Sequence, residues 1–172
     1  MPKSVYLIGM MGSGKTTTAR ELSLLVQKPV IDLDTELEKK TGKTISEVFQ
    51  EKGGPWFRML ETSLLVSFNA EMNAVFSTGG GVVLSRQNRD WMRSCGTVVF
   101  LNTSLEFLWS RVSREKGKRP LLEDGEAKQR LMSIMAARQP LYEECAHVRV
   151  ITDGKSPREI AREIQGHLKL ES

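Results

Sequence analysis

Short apolar runs alternate along this chain with longer stretches whose apolar residues recur every three or four positions. Ser4–Ile8 is apolar, β-prone and ends at Gly9. Residues 16–26 then carry Ala19, Leu22, Leu25 and Val26 at helical spacing, which predicts a helix. Residues 30–33, entered through Pro29, predict a second strand; 74–77, 97–101 and 148–152 predict a third, fourth and fifth. Helices are predicted between them over 35–40, 46–52, 57–71, 86–94, 104–115 and 127–144. A last helix is predicted over 157–168, with Ser156 as N-cap and Pro157 at the first helical position. Strands separated by helices predict an α/β fold with a parallel sheet covered on both faces. Ligands of such sheets bind beyond the carboxyl ends of the strands. The stretch 114–126, REKGKRPLLEDGE, is charged, contains Gly and Pro, and breaks the helical pattern. It reads as a mobile loop of the kind that closes over active sites. No internal repeat and no low-complexity segment interrupts the pattern.

The length of 172 residues predicts one domain, large enough for a core and a cleft. A net charge of +4 fits an anionic ligand such as a nucleotide. The basic residues are scattered and form no stripe interleaved with aromatics, so no nucleic-acid partner is expected. Cys95 and Cys145 stand far apart and suggest neither a disulfide framework nor a zinc site. They read as buried or inert thiols in a reducing compartment. With no signal-peptide pattern and no apolar run long enough to cross a bilayer, the expectation is a cytoplasmic protein without a membrane partner. The size, and the lack of an evident apolar outer helix face, suggest a monomer.

Candidate chemistry begins at Gly9-Met10-Met11-Gly12-Ser13-Gly14-Lys15-Thr16, which fits G-x-x-x-x-G-K-[ST] between a predicted strand and a predicted helix. The glycines let successive N–H groups face phosphate oxygens, and the helix N-terminus adds positive charge. Lys15 can reach the β- and γ-phosphates, and the Thr16 hydroxyl can ligate Mg²⁺. Asp32 and Asp34 close the second predicted strand, where period-two alternation would put both side chains on one face. One could serve Mg²⁺ through water and the other an acceptor hydroxyl; alternatively, Asp34 caps the following helix.

Gly79-Gly80-Gly81 directly follows the third strand, where the backbone can approach a ligand closely or simply turn. Arg58 lies one helical turn before Glu61, a pairing that usually makes a modest surface ion pair. Arg138 continues the apolar stripe of Leu131, Ile134 and Met135, so it faces inward, either to a buried partner or to a polar cleft. Pro140 should end or kink that helix nearby. Arg119, just before Pro120 in the predicted lid, can close onto a transferring phosphoryl group or remain a solvated charge. His147 and His167 match no catalytic spacing and read as structural or exposed.

Taken in order, these elements resemble the shikimate kinase family over essentially the whole chain. The phosphate loop, Asp32-Leu33-Asp34, Phe57-Arg58 with Glu61, the glycine triplet, Arg119-Pro120-Leu121-Leu122 and Arg138-Gln139-Pro140-Leu141-Tyr142 all match that family's motifs. The resemblance implies a P-loop kinase three-layer α/β/α fold with a central five-stranded parallel sheet. It also implies a helical substrate-binding segment at about 33–61 and a mobile lid at about 113–126. The implied reaction moves the ATP γ-phosphoryl group to the 3-hydroxyl of shikimate, on the pathway to aromatic amino acids. Asp34, Arg58, Gly79, Gly80, Gly81 and Arg138 would bind shikimate, the two arginines gripping its carboxylate. Asp34 would contact the hydroxyls and could accept the proton. Thr16 and Asp32 would serve Mg²⁺; Lys15 and Arg119 would stabilise developing charge. Gly12, Ser13, Gly14, Lys15, Thr16 and Thr17 would hold the ATP phosphates, with Arg111 and Lys155 on the adenine side. The chain departs from the family in one place: Gly53-Gly54-Pro55-Trp56 stands where the family usually has Gly-Glu before its Phe-Arg. The missing acid could loosen the support of Arg58.

Direct in-line transfer is expected, since no nucleophilic Ser, Cys or His constellation suggests a covalent intermediate. A related kinase acting on gluconate or a nucleotide is the nearest alternative. The two arginines beside the glycine triplet favour a small carboxylate instead. A nucleotide-dependent switch is less favoured, because no N-K-x-D guanine-reading signature is present.

Overall fold

The computed structural model describes residues 4–68, 71–115 and 126–170. Five parallel strands form one sheet: β1 (Ser4–Ile8), β2 (Val30–Asp32), β3 (Val75–Ser77), β4 (Gly96–Asn102) and β5 (Val148–Ile151), in the order β2-β3-β1-β4-β5. Every predicted strand is present. The helices are α1 (Lys15–Val26), α2 (Leu33–Thr41), α3 (Ile45–Lys52), α4 (Gly54–Ser67), α5 (Arg86–Cys95), α6 (Leu105–Val112), α7 (Ala127–Cys145) and α8 (Pro157–Leu170). Short 3-10 turns follow at Val82–Leu84 and Ser113–Glu115, the second ending the helix predicted over 104–115.

Strand alternation divides the core in two. Val5, Leu7, Val99 and Leu101 face Ala19 and Leu22 of α1 and Ile160, Ala161 and Ile164 of α8. Tyr6, Ile8, Val98 and Phe100 face the other way, against buried residues of α2 to α7. The result is three layers, helix, sheet and helix. Tyr6 stacks on Phe76 and Phe100 on Tyr142, so ring contacts tie the strand centres to each other and to α7. Both cysteines are buried and free, as expected.

Helix ends follow side-chain chemistry. Thr44 and Glu47 form a reciprocal capping box at the start of α3. Ser156 and Glu159 do the same for α8, with Pro157 at its first position as predicted. Three elements depart from the sequence expectations. β2 ends at Asp32, not at residue 33, and Leu33 already opens α2. Asp32 and Asp34 therefore do not alternate along one strand; Asp32 is the N-cap of α2, accepting from the Thr35 N–H at 3.1 Å, and Asp34 lies in the helix's first turn. α4 begins at Gly54, three residues early, because Gly53 at φ 80° ends α3 and Pro55 suits the first turn of the next helix. α7 runs through Pro140 to Cys145. Pro140 and Ala136 both lie on the exposed side of the helix, where a carbonyl left without a helical donor is open to hydration.

Candidate active site

The carboxyl ends of β1, β2 and β3 converge on one cleft of about 470 Å³, lined by residues 11–18 together with Asp34, Ser77, Gly80, Arg111 and Lys155. Its floor is the loop between β1 and α1. Gly9 adopts φ 149°, and a Cβ there would stand 2.7 Å from the Leu101 carbonyl of the neighbouring strand. Gly14 adopts φ 88° as the N-cap of α1. The loop's backbone N–H groups and the start of a 12-residue helix thus share one mouth, an arrangement suited to phosphate. Lys15 Nζ donates to the carbonyls of Gly9 and Met10, each at 2.8 Å, and lies close to Ser13 Oγ. Thr17 donates to Gly14 O. Arg111 reaches back from α6 to donate to Gly12 O at 3.1 Å, and Lys155 is paired with Glu163 of α8 at 2.6 Å.

At the sheet side of this mouth, Thr16 Oγ1 donates to Asp32 Oδ2 at 2.7 Å and lies 3.1 Å from Ser77 Oγ. Asp32 therefore does two jobs with its two oxygens, capping α2 and holding the P-loop threonine. Two hydroxyls and a carboxylate make a small set of hard oxygen donors of the kind that suits Mg²⁺, which needs one or two carboxylates and takes its other ligands from water and phosphate.

A second polar cluster beside this cleft is assembled from four separate segments. Arg58 Nη1 binds Glu61 Oε1 at 2.8 Å, and the Arg58 guanidinium also lies 5.1 Å from the Phe57 ring and 5.8 Å from Phe49. The pair is not the surface contact its spacing suggests: Glu61 is 1% exposed. Burial pushes the Glu61 carboxyl above its ordinary range, against the pull of Arg58, and Asp34 adds to the rise. Arg138 is 7% exposed, and its charge acts on the Tyr142 hydroxyl. It faces the site and the charge of Glu61, so the inward-pointing cation has both polar partners and an opening onto the glycine turn. The Tyr142 hydroxyl donates to Gly80 O; burial pushes its pKa up to about 12, partly offset by Arg138, so it stays a neutral donor.

The glycine triplet is where these groups meet. A Cβ on Gly81 would lie 2.3 Å from Arg58 Cζ; one on Gly79 would lie 2.7 Å from Glu61 Oε2 and 3.3 Å from Asp34 Oδ1; one on Gly80 would lie 3.4 Å from an Arg138 nitrogen and 3.3 Å from the Met11 amide. Two cations and two carboxylates therefore surround a backbone strip that carries no side chains.

A family profile described as Shikimate kinase matches residues 11–169. The chain is 39% identical over 169 residues to the shikimate kinase of Nitrosospira multiformis, covering 98% of this chain and 86% of that one. It is 41% identical over 172 residues to that of Dictyoglomus turgidum, covering 98% and 99%.

The chain belongs to the shikimate kinase family.

Membership makes it an ATP-dependent phosphotransferase with an alcohol group as acceptor. Kinases of this family use ATP with a divalent metal. Among solved structures, the Acinetobacter baumannii shikimate kinase in complex with shikimate superposes with a TM-score of 0.95 at 35% identity, over 100% of this chain and 95% of that one. The Aquifex aeolicus shikimate kinase gives 0.82 at 32%, over 98% and 97%. The predicted fold, a three-layer α/β/α arrangement around a five-stranded parallel sheet, agrees with these neighbours.

The structure brings together most of the residues singled out from the sequence. Gly12, Ser13, Gly14, Lys15, Thr16, Thr17, Arg111 and Lys155 line the cleft together with Asp34 and Gly80, and Gly79, Gly81, Arg58 and Arg138 pack around these two. Arg119 and the remainder of the predicted lid over 116–125 lie outside the described residues. Sequence reasoning gave no role to Ser77, whose hydroxyl touches Thr16, or to Tyr142, which holds Gly80. Ser77 could have been found as the last residue of the strand beside β1. Tyr142, four residues after Arg138, follows from helical spacing once Arg138 is known to face inward. His147 accepts from the Val98 N–H at 3.0 Å, a structural role as expected.

Proposed function

We propose that the protein transfers the γ-phosphoryl group of ATP to the 3-hydroxyl of shikimate, giving shikimate 3-phosphate and ADP on the route to chorismate and the aromatic amino acids. The observation that carries this reading is the grouping of Arg58, Arg138 and Asp34 around a glycine turn that opens onto the P-loop cleft. A planar carboxylate matches two guanidinium forks, and a ring bearing hydroxyls fits against a backbone strip free of side chains. A purine base does not call for that combination.

In this assignment Gly12, Ser13, Gly14, Thr16 and Thr17 cradle the phosphates with backbone N–H groups, while Arg111 and Lys155 stand on the adenine side. Lys15 leaves its carbonyl partners for the β- and γ-phosphates. Arg58 and Arg138 hold the carboxylate of shikimate, Gly79, Gly80 and Gly81 let its ring lie close, and Asp34 orients the 3-hydroxyl and accepts its proton. The oxygen then attacks phosphorus in line as the bond to the β-phosphate oxygen breaks, with no covalent enzyme intermediate. Positioning and charge stabilisation supply most of the acceleration. Arg119 is assigned to the charge on the transferring group. Thr16 and Asp32 are the residues that would hold Mg²⁺; their oxygens, 2.7 Å apart, suit that ion. When bound, Mg²⁺ neutralises charge on the β- and γ-phosphate oxygens. We further assign residues 1–172 to a single catalytic domain, acting as a cytoplasmic monomer on small molecules, without nucleic-acid or membrane partners. Among the described residues no helix is long and apolar enough to cross a membrane.

The test is ADP release from ATP and Mg²⁺ with and without shikimate, with gluconate and nucleoside monophosphates run alongside. Release should require shikimate and should collapse by roughly 10²–10⁴-fold in Asp34→Asn, the range for losing a general base. Release that ignores shikimate and follows another acceptor would refute the substrate.

A further inference from the structure

We infer that α5 braces the acceptor site, and that Arg89 is a positioning residue for the two groups that meet at Gly80. The inference rests on the reading of Arg138 and the glycine turn as the acceptor site. α5 itself lines no part of the cleft. Its first turn grips the backbone immediately after the glycine triplet: buried Asn88 donates through Nδ2 to Val82 O at 2.9 Å, and Arg89 donates through Nη1 to Val83 O at 2.7 Å. Both carbonyls belong to the 3-10 turn that leaves Gly81.

The same helix holds the end of α7. Arg89 Nε lies 3.6 Å from Glu144 Oε1, and Arg93 Nη1 donates to the carbonyls of Glu144 and Cys145 at 3.1 and 3.0 Å. These are carbonyls of the last helical turn, where a cation is favoured by the helix dipole. α7 carries Arg138 and Tyr142, and Tyr142 donates to Gly80 O.

The contacts close a ring from Gly80 to Tyr142, along α7 to Glu144, across to Arg89, and back through Val83 to the glycine turn. Arg89 is the member that touches both arms, and its side chain is only 13% exposed. A guanidinium can serve the two arms at once because its donors are fixed in a plane; a lysine ammonium on a flexible stem satisfies one arm at a time. Asn88 and Arg93 still tie α5 to each arm, so losing Arg89 loosens the coupling between the glycine turn and α7 without abolishing it, and the spacing between Arg138 and the turn is what the acceptor would read. The phosphate loop meets these arms at Tyr142, whose hydroxyl lies 3.7 Å from Met10 Sδ, and at Gly80, beside the Met11 amide; Arg89 takes part in neither contact.

The experiment varies shikimate and ATP separately in Arg89→Met, Arg89→Lys, Glu144→Gln and wild type. Arg89→Met should raise KM for shikimate by about tenfold, the loss of one charged hydrogen bond, and leave KM for ATP within about twofold. Arg89→Lys should recover part of the loss. Glu144→Gln, at a side chain 65% exposed that should not disturb folding, should give a smaller rise of the same sign. In Tyr142→Phe the ring is already open, so adding Arg89→Met should cost less than it does in wild type. Equal rises in both KM values, a fall in kcat alone, or simple additivity with Tyr142→Phe would each overturn the brace. Wild-type turnover of shikimate tests the acceptor reading separately. If another acceptor is used instead, the same KM split with that acceptor decides the inference.

Discussion

The two ends of the cleft are built differently. At the nucleotide end, the phosphate-facing groups come from one contiguous run, 9–17, whose strand, turn and helix are specified by neighbours in the chain. Arg111, Lys155, Asp32 and Ser77 arrive from elsewhere. At the end assigned to the acceptor, Asp34, Arg58, Glu61, the glycine turn and Arg138 come from α2, α4, the end of β3 and α7, and apart from the Arg58–Glu61 pair within α4 nothing local holds them in register. The first end can survive small shifts of distant helices. The second is a property of the whole packing, so its specificity should be lost before its chemistry is.

Breaking the contiguous end should have the largest effect. Lys15→Met should lower kcat by about 10²–10³-fold, the range for removing one charge-stabilising group, with a modest change in KM for shikimate. Steady-state kinetics would show it, and a comparable rise in acceptor KM would mean that the two ends are not separable. Arg58→Met and Arg138→Met come next, each raising acceptor KM by about 10- to 100-fold, the value of a hydrogen bond to a charged group. Binding of ADP, followed by calorimetry, should be unchanged in both. Gly81→Ala sharpens the contrast with a single methyl: placed 2.3 Å from Arg58 Cζ, it must displace the guanidinium, and a rise of about tenfold in acceptor KM is expected.

The smallest effect concerns pH. Burial raises the Glu61 pKa, so the folded chain keeps that proton to higher pH than the unfolded chain does. This group's contribution to stability is therefore fully present below the ordinary carboxyl range and is lost as pH rises through the raised value. The difference in melting temperature between wild type and Glu61→Gln should show that decline. Acceptor KM should move the other way, climbing as pH falls through the same interval, because protonation takes the charged partner from Arg58. A difference that stays flat with pH would show that Glu61 titrates normally.

The same contrast explains what was legible in the sequence. Sheet and helix alternation and the phosphate loop rest on local periodicity and turn chemistry, and all five strands were found. The end of β2 is not legible because Asp32-Leu33-Asp34 fits both strand alternation and a helix start; the Asp32 cap, backed by its bond to Thr16, decides for the helix. The Arg58–Glu61 spacing was visible, but the burial of Glu61 was not, since it depends on Gly79, eighteen positions away, having no side chain. Pro140 reads as a helix breaker from sequence, because its solvent-facing side is set only by the packing of α7. The absence of the family's acid at Gly54 did not leave Arg58 loose: Glu61 and two aromatic rings hold it.

The glycine strip also has a consequence at the level of codons. No single-base change in a glycine codon gives another residue without a Cβ, so every missense change at 79, 80 or 81 adds an atom where charged groups or backbone already stand within 3.4 Å. Three adjacent codons thus lack any conservative missense neighbour. In a saturation-mutagenesis scan they should form a gap of intolerance as sharp as that of the phosphate loop, although none of the three residues carries a functional group.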